Sequence, residues 1–120
     1  MEQPNRFQQL VAAAKQSVTE ISPAEAAEKL RRGEAHLIDV RDREDWDEGH
    51  AANAEHMSRG TIELDVEDKF PDLSAPIICY CGGGGRSALA TESLQRMGYT
   101  NVRSLAGGLK AWKAAGLPTE

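Results

Sequence analysis

The sequence is poor in aromatic residues and in cysteine, and it contains no long apolar segment. Only six of the 120 residues are Phe, Trp or Tyr, and only two are Cys. No stretch approaches the roughly 18 consecutive apolar residues of a transmembrane helix, and the first residues lack the cationic and apolar regions of a secretory signal peptide. We therefore expect a protein of the reducing cytoplasm that has no membrane partner.

The two cysteines, Cys79 and Cys81, are separated by a single residue. A disulfide between such close neighbours on an extended chain has poor geometry, so a disulfide framework is excluded. A zinc site would need further ligands, and the three histidines, His36, His50 and His56, show no ligand spacing relative to this pair. We expect neither a metal ion nor another cofactor.

Basic residues are scarce in the first part of the chain. Residues 1–72 carry nine basic and seventeen acidic side chains, whereas residues 73–120 carry five basic and two acidic ones. The net charge of −5 argues against a nucleic-acid partner or an anionic membrane surface. The local excess of positive charge predicts that any anion-binding site lies in the last third of the chain.

Short strand patterns alternate with short helix patterns, and the length suits one domain with one core. The predicted helices cover residues 5–16, 23–32, 43–48, 61–69, 87–97 and 109–115, and the predicted strands cover 18–21, 36–40, 54–57, 76–81 and 101–105. This alternation predicts an α/β fold in which helices flank both faces of a small central, mostly parallel sheet. We assign residues 1–17 to an N-terminal helical extension and residues 18–120 to the single domain.

The strongest strand pattern runs directly into four glycines and the start of a helix. Cys81 ends the strand, Gly82, Gly83, Gly84 and Gly85 follow, and Arg86 and Ser87 open the helix. Ligands of open α/β sheets bind at the carboxyl ends of the strands. Glycines allow backbone N–H groups to turn inward, while the helix dipole and the arginine add positive potential. We therefore predict an anion-binding cradle at this turn.

This setting predicts that Cys81 is a nucleophile. A helix N-terminus and a neighbouring cation lower a thiol pKa from its ordinary value of about 8.5, which raises the thiolate fraction at neutral pH. The same cradle would stabilise an anion that forms on the sulfur. Cys79 lies deeper in the buried strand, so we expect it to be an inert core residue rather than a resolving thiol.

Three motifs, in this order, resemble those of the rhodanese family. Residues 81–87 (CGGGGRS) resemble the active-site loop of rhodanese domains, a Cys-x-x-Gly-x-Arg-Ser pattern that follows a central strand. Residues 37–41 (LIDVR), followed by Gly49 and His50, look like the N-terminal signature, and residues 107–112 (GGLKAW) look like the C-terminal one. The resemblance covers about residues 18–117 and implies a rhodanese-like α/β fold.

The resemblance also implies a sulfurtransferase of the thiosulfate sulfurtransferase (rhodanese) type. Cys81 would take sulfane sulfur from a small anionic donor such as thiosulfate, form a persulfide, and pass the sulfur to a thiophilic acceptor such as cyanide or a thiol. The amides of residues 82–87, together with Arg86, would bind the donor. Asp39 and Arg41 match family positions beneath or beside the loop, and we expect them to support it.

Two alternatives stay open. Phosphatases and arsenate reductases share this fold but have a loop one residue longer than the four residues between Cys81 and Arg86. A sulfur-carrier or interaction module without catalysis would suit the N-terminal helix and the acidic face. Residues 51–54 (AANA) depart from the family, where proline is usual. Arg59 is expected to be a surface cation rather than a second cation of the pocket, and Trp112 a core residue.

Overall fold

The computed structural model describes residues 3–120 and contains one five-stranded parallel sheet with the strand order β1-β5-β4-β2-β3. The strands are β1 (Glu20–Ile21), β2 (His36–Asp39), β3 (Glu55–His56), β4 (Ile77–Tyr80) and β5 (Val102–Leu105). The helices are α1 (Arg6–Ser17), α2 (Pro23–Arg31), α3 (Arg43–Glu48), α4 (Ile62–Lys69), α5 (Gly85–Arg96) and α6 (Gly108–Ala114). Within residues 3–120, no helix is long and apolar enough to cross a membrane.

Side-chain caps fix where the first two helices begin. The Gln8 amide donates a hydrogen bond to the Asn5 side chain, and the Asn5 amide donates one to the Gln8 side chain, which together form a capping box. The Ser22 side chain accepts a hydrogen bond from the Glu25 amide, and Pro23 takes the first position of α2. Both helices begin within one residue of the predicted start.

The side chains of the central strand β4 alternate between two apolar layers. Ile77 and Cys79 face the layer that contains α4 and α5. Ile78 and Tyr80 face the opposite layer, which contains α2 and α6. Trp112 of α6 is buried in this second layer, as predicted, and donates its indole N–H to a backbone carbonyl at 2.8 Å. Helices therefore cover both faces of the sheet, and the predicted α/β fold class is confirmed.

Helix α1 packs against α5, the helix that follows the glycine segment. Ala14 of α1 is buried in this contact region. At the end of α1, the Ser17 hydroxyl donates to the Glu92 carboxylate of α5 at 3.0 Å. The N-terminal helix is thus attached to the rest of the molecule along the length of α5.

Two boundaries next to the glycine segment differ from the sequence prediction. Helix α5 begins at Gly85, two residues before the predicted start at Ser87. Its cap, Gly84, has a left-handed φ of 101°, which a residue with a Cβ rarely adopts. Strand β4 ends at Tyr80, one residue earlier than predicted, so Cys81 is the first residue beyond the strand.

Candidate functional site

Cys81 lies at the carboxyl edge of the sheet, directly after the central strand β4. The cysteine loop, residues 82–87, leads from Cys81 into α5. Its first three residues form the turn, and its last three form the first turn of the helix. The structure therefore places the sulfur at the edge where parallel α/β sheets bind their ligands.

The cysteine loop wraps around the Cys81 sulfur. The Gly84 amide donates to Sγ at 3.1 Å, and the Ser87 amide donates at 3.4 Å. The Ser87 hydroxyl lies 3.5 Å from Sγ and 2.8 Å from the Ser104 hydroxyl. A thiolate can only accept hydrogen bonds, so in that state the Ser87 hydroxyl donates to the sulfur and the Ser104 hydroxyl donates to Ser87.

These donors control the ionisation of Cys81. Burial alone would raise the pKa of Cys81, because a charged sulfur loses solvation in the interior. Hydrogen bonds from the Ser87 hydroxyl and amide, and from the amides of Gly84 and Gly83, act in the opposite direction. The hydrogen bonds outweigh burial, so the pKa of Cys81 lies below the ordinary value of a thiol. A larger share of this cysteine is therefore thiolate at neutral pH.

Cys79 has the opposite properties. It is fully buried in β4, on the same face of the sheet as Cys81. Burial raises the pKa of Cys79 to about 12, and a hydrogen bond with the Thr91 hydroxyl offsets only part of this effect. Cys79 is therefore a neutral core residue at physiological pH, in agreement with the sequence prediction.

Helix α6 holds the start of the cysteine loop. The Leu109 amide donates to the Cys81 carbonyl at 2.8 Å, and the Lys110 amide donates to the Gly82 carbonyl at 3.1 Å. The C=O and N–H groups of one peptide unit point in opposite directions. These two bonds therefore turn the N–H groups of Gly82 and Gly83 away from α6.

Glycines on both segments make this close approach possible. A Cβ at Gly108 would lie 2.5 Å from the Cys81 carbonyl oxygen, and Gly108 itself has a φ of +59°. A Cβ at Gly84, where φ is +101°, would lie 3.3 Å from the Gly107 nitrogen. Residues 107–112 are visible as a motif in the sequence, but this role is not, because only the fold brings α6 beside the cysteine loop.

Gly82 and Gly83 lie on the open part of the loop. Among the described residues, no heavy atom outside the immediate chain neighbours lies within 4 Å of a Cβ placed at either position. A reactant that approaches here meets bare backbone, because neither residue has a side chain. Any selection of a ligand at this loop would therefore depend on amide groups and on side chains from outside the glycine segment.

Ser104 is a further residue of the site that the sequence alone does not reveal. This residue is in β5 and lies opposite Cys79 in the pairing of β4 with β5. Its buried hydroxyl is 2.8 Å from the Ser87 hydroxyl and so orients a donor to the sulfur. The only signal for it would have been the adjacency of these two strands, which the order of elements along the chain does not determine.

Arg86 is part of the cysteine loop, in the first turn of α5, and its side chain reaches toward Asp42. The closest approach, from Nη1 to the carboxylate, is 4.0 Å, and the Arg86 side chain is 38% exposed. This is a loose, solvent-screened pair. The guanidinium group therefore has donors left for an anion.

Asp39 and Arg41 form a buried ion pair at the end of β2. Arg41 donates to the Asp39 carboxylate from Nε at 3.0 Å and from Nη2 at 2.8 Å, and Nη2 also donates to the Gly49 carbonyl at 2.7 Å. Burial would lower the pKa of Arg41, but the Asp39 carboxylate raises it overall. The nearby Tyr80 hydroxyl accepts a bond from the Ala51 amide at 3.0 Å. These contacts attach the end of β2, and β4 beside it, to the turn at residues 49–51.

Arg59 is already paired. Its Nη1 lies 2.8 Å from the Glu63 carboxylate, which also accepts a hydrogen bond from the Ser93 hydroxyl at 2.6 Å. Both ends of the ion pair are about one-third exposed. The structure therefore shows Arg59 bound at the start of α4, which is consistent with its expected place as a surface cation.

Two of the three histidines, His50 and His56, contact backbone carbonyls. His50 Nδ1 lies 3.1 Å from the Trp46 carbonyl oxygen, and the two rings stack. His56 Nε2 lies 2.7 Å from the Arg41 carbonyl oxygen. Within residues 3–120, no group of three or more His, Cys, Asp or Glu residues is placed to hold a metal ion.

Solved structures with the same fold include sulfurtransferases. A polysulfide-sulfur transferase homodimer from Wolinella succinogenes is 32% identical over 95% of this chain and 86% of its own, with a TM-score of 0.81. A thiosulfate sulfurtransferase from Pseudomonas aeruginosa is 28% identical over 85% of this chain and 20% of its own, with a TM-score of 0.79. A Rhodopseudomonas palustris protein of unknown function, described as a possible tyrosine phosphatase, is 29% identical over 100% of this chain and 99% of its own, with a TM-score of 0.85.

The family comparison covers most of the chain. The model of the rhodanese-like domain matches residues 22–115, which include the Cys81 loop, the segment from Asp39 to Arg41, and the glycines that open α6. Helix α1 lies outside the match. The extent of the match, together with the common fold, shows that the chain belongs to the rhodanese-like domain family.

Proposed function

We propose that this protein is a sulfurtransferase that carries sulfane sulfur on Cys81. The observation that carries the proposal is the sulfur environment: two backbone amides lie within 3.4 Å of Sγ, and the pKa of Cys81 is lowered although the residue is only 2% exposed. Sulfur transfer requires a thiolate that attacks and a pocket that accepts a second, anionic sulfur. The family membership supports this class of chemistry.

In the first step, the Cys81 thiolate attacks the outer sulfur of thiosulfate. A bond forms between Sγ and that sulfur, the sulfur–sulfur bond of thiosulfate breaks, and sulfite leaves with the electron pair. Cys81 then carries a persulfide, whose terminal sulfur is anionic. The amides of the cysteine loop stabilise this negative charge without side-chain movement, because the backbone is already in place.

In the second step, a thiophilic acceptor such as cyanide attacks the terminal sulfur. A carbon–sulfur bond forms, the persulfide bond breaks, and its electron pair returns to the Cys81 thiolate as thiocyanate leaves. A thiol acceptor would accept the sulfur in the same way and leave as a persulfide. The reaction needs neither a metal ion nor a redox cofactor, since both steps are displacements at sulfur.

Arg86 is proposed to bind the anionic part of the donor. Its guanidinium group is partly exposed, and its pairing with Asp42 is loose at 4.0 Å. Two parallel N–H groups suit the oxygens of a sulfonate-like group. Asp39 and Arg41 are proposed to act indirectly, by holding the turn at residues 49–51 in place beside the sheet edge.

The same proposal includes the domain boundaries, the kind of sulfur donor and the compartment that the sequence predicts. Residues 18–120 would form the catalytic domain and residues 1–17 a helical extension. The site for the sulfur donor belongs to residues 73–120, the part of the chain with an excess of basic residues, and this suits a small anion. A reducing cytoplasm would keep Cys81 available as a thiol.

A Cys-dependent phosphatase is the second candidate, because the Rhodopseudomonas palustris relative is described as a possible tyrosine phosphatase. Four residues separate Cys81 from Arg86. Within this short loop, the amides of Gly84 and Ser87 already contact the sulfur. A tetrahedral phosphate needs a wider ring of amides than a single sulfur atom does, so the loop size favours sulfur transfer.

Two assays on the same preparation separate the candidates. The protein should form thiocyanate from thiosulfate and cyanide, with no turnover in Cys81→Ala and nearly full turnover in Cys79→Ala. Hydrolysis of an aryl phosphate should be absent. Cys81-dependent phosphate release without thiocyanate formation would reject the sulfurtransferase. If neither reaction occurs with several donors, the non-catalytic carrier or interaction module gains support instead.

A further inference from the structure

Helix α1 lies beside the cysteine loop, at the start of α5. A Cβ built at Gly85 would lie 3.4 Å from Val11 Cγ2 and 3.7 Å from the Phe7 ring. Phe7 and Val11 are four residues apart on α1, so they share one face of the helix. This face therefore lies against the point where the cysteine loop enters α5.

The cysteine loop depends on contacts from other segments to hold a single conformation. Four consecutive glycines give a backbone with many accessible conformations and no side chain to anchor it. Helix α6 holds the beginning of the loop, through hydrogen bonds to the carbonyls of Cys81 and Gly82. Phe7 and Val11 lie beside its end, at Gly85, where a Cβ would make van der Waals contact with both side chains.

The position of this end of the loop matters for the sulfur. The amides of Gly84 and Ser87, which donate to Sγ, belong to the residues on either side of Gly85, the position that α1 approaches. A small displacement of Gly85 would lengthen one or both of these bonds. From this geometry we infer that α1 is part of the active site and that Phe7 and Val11 are positioning residues for the cysteine loop.

This role goes beyond the family match, which begins at residue 22 and leaves α1 out. The inference rests on the proposed sulfur transfer only for its effect on turnover, because the positioning role concerns the environment of the Cys81 thiol. The two can therefore fail separately: alkylation of Cys81 reports on the loop even if the protein transfers no sulfur.

The test compares the double variant Phe7→Ala/Val11→Ala with the control Leu10→Ala. Leu10 is on the same helix, and its side chain is 56% exposed, compared with 51% for Phe7. Alanine favours helix, so α1 retains its intrinsic helical propensity in both variants. The readout is the rate of iodoacetamide alkylation of Cys81 in the folded protein as a function of pH, together with the rate of sulfur transfer.

We expect the double variant to be alkylated about 3- to 10-fold more slowly at neutral pH, with the midpoint of the pH profile moved upward by roughly half a unit to one unit. Sulfur transfer should fall by at least the same factor, and Leu10→Ala should match the wild type. If the double variant melts near the assay temperature, Val11→Ala alone should show a smaller change in the same direction.

Gly85→Ala provides a rescue. Gly85 has an ordinary helical φ, and its new Cβ would make only van der Waals contacts, so alanine fits there and restricts the loop. Added to the double variant, it should restore at least half of the lost alkylation rate. The inference is overturned if the folded double variant stays within twofold of the wild type, if Leu10→Ala loses as much, or if Gly85→Ala restores nothing.

Discussion

Cys79 and Cys81 are two residues apart and almost equally buried, at 0% and 2% exposure. Their pKa values are nevertheless shifted in opposite directions from the ordinary value of a thiol. Burial raises the pKa of Cys79 to about 12, whereas the pKa of Cys81 lies below the ordinary value of a thiol. Exposure therefore does not decide which cysteine ionises. The two sulfurs must differ in what surrounds them.

The difference is the number of hydrogen-bond donors aimed at each sulfur. Cys79 lies within β4, where the amides are committed to neighbouring strands, and only the Thr91 hydroxyl favours its charged form by hydrogen bonding. Cys81 lies one residue beyond the strand, where the loop frees the amides of Gly84 and Ser87 for the sulfur. The end of the strand thus separates a thiol position that lacks amide donors from one that is surrounded by them.

The largest expected effect is on chemical reactivity. At neutral pH, a thiol with the pKa of Cys79 would be ionised to only about one part in 10⁵. Iodoacetamide should therefore label Cys81 in the native protein at least ~1,000-fold faster than Cys79. Peptide mapping after brief alkylation checks this. Comparable labelling of both cysteines in the folded state would contradict the predicted difference in their reactivity.

The next effect concerns the contact between α6 and the cysteine loop. Gly108→Ala places a Cβ 2.5 Å from the Cys81 carbonyl oxygen at a left-handed φ, and we expect a loss of about 2–4 kcal/mol in the free energy of unfolding. Gly116→Ala is the matched control, because Gly116 also has a positive φ but open space around it. It should lose only about 1 kcal/mol.

Denaturant unfolding of both glycine variants measures the difference. Gly108→Ala should also slow the alkylation of Cys81 in protein that stays folded, since the loop amides would move. If the two variants were equally stable and equally reactive, crowding at the loop would have no part in holding it.

A smaller effect is expected from Arg86. Arg86→Ala should lower kcat/KM for thiosulfate by roughly 5- to 20-fold, because a charge-assisted contact to the anionic donor is lost. The melting temperature should change little, since the side chain is partly exposed and loosely paired. The control Arg43→Ala removes an exposed arginine of α3, which pairs with Asp47, and should leave both quantities unchanged. Parallel loss of stability and turnover in Arg86→Ala would make this residue structural.

The smallest effect appears in alkaline stability. Above about pH 8.5, the unfolded chain loses the Cys79 proton while the folded chain keeps it, so Cys79 lowers stability by about 1.4 kcal/mol per pH unit. Cys81 has the opposite sign, because its lowered pKa adds stability as the pH rises toward about 8.5, and above that pH this contribution stays constant. Cys79→Ala should therefore show a shallower loss of stability between pH 9 and 10 than the wild type. Identical slopes in urea titrations would contradict the raised pKa.

The fold could be read from the sequence because its signals are local. The apolar run before Cys81, the proline and capping serine of α2, and the glycine stops each act over a few residues. The sequence predicts the start of α5 two residues too late, because Gly85 has a low helix propensity. In the structure, tertiary contacts override this propensity.

The candidate site could be predicted from the sequence only in part. Cys81 and the glycines after it are contiguous, so their chemistry was visible in the sequence. Ser104 and Gly108 follow Cys81 by 23 and 27 residues, and only the parallel pairing of β4 with β5 and the packing of α6 bring them to the loop. The contact of α1 with Gly85 was likewise hidden, since an amphipathic helix does not specify the surface that it covers.

The most direct test of the central claim is the intact mass of the protein after incubation with thiosulfate. A sulfurtransferase that uses Cys81 should gain the mass of one sulfur atom and lose it again when cyanide is added. The adduct should persist in Cys79→Ala and be absent in Cys81→Ala. No added sulfur from thiosulfate or other sulfane donors, or an adduct that survives in Cys81→Ala, would contradict the account.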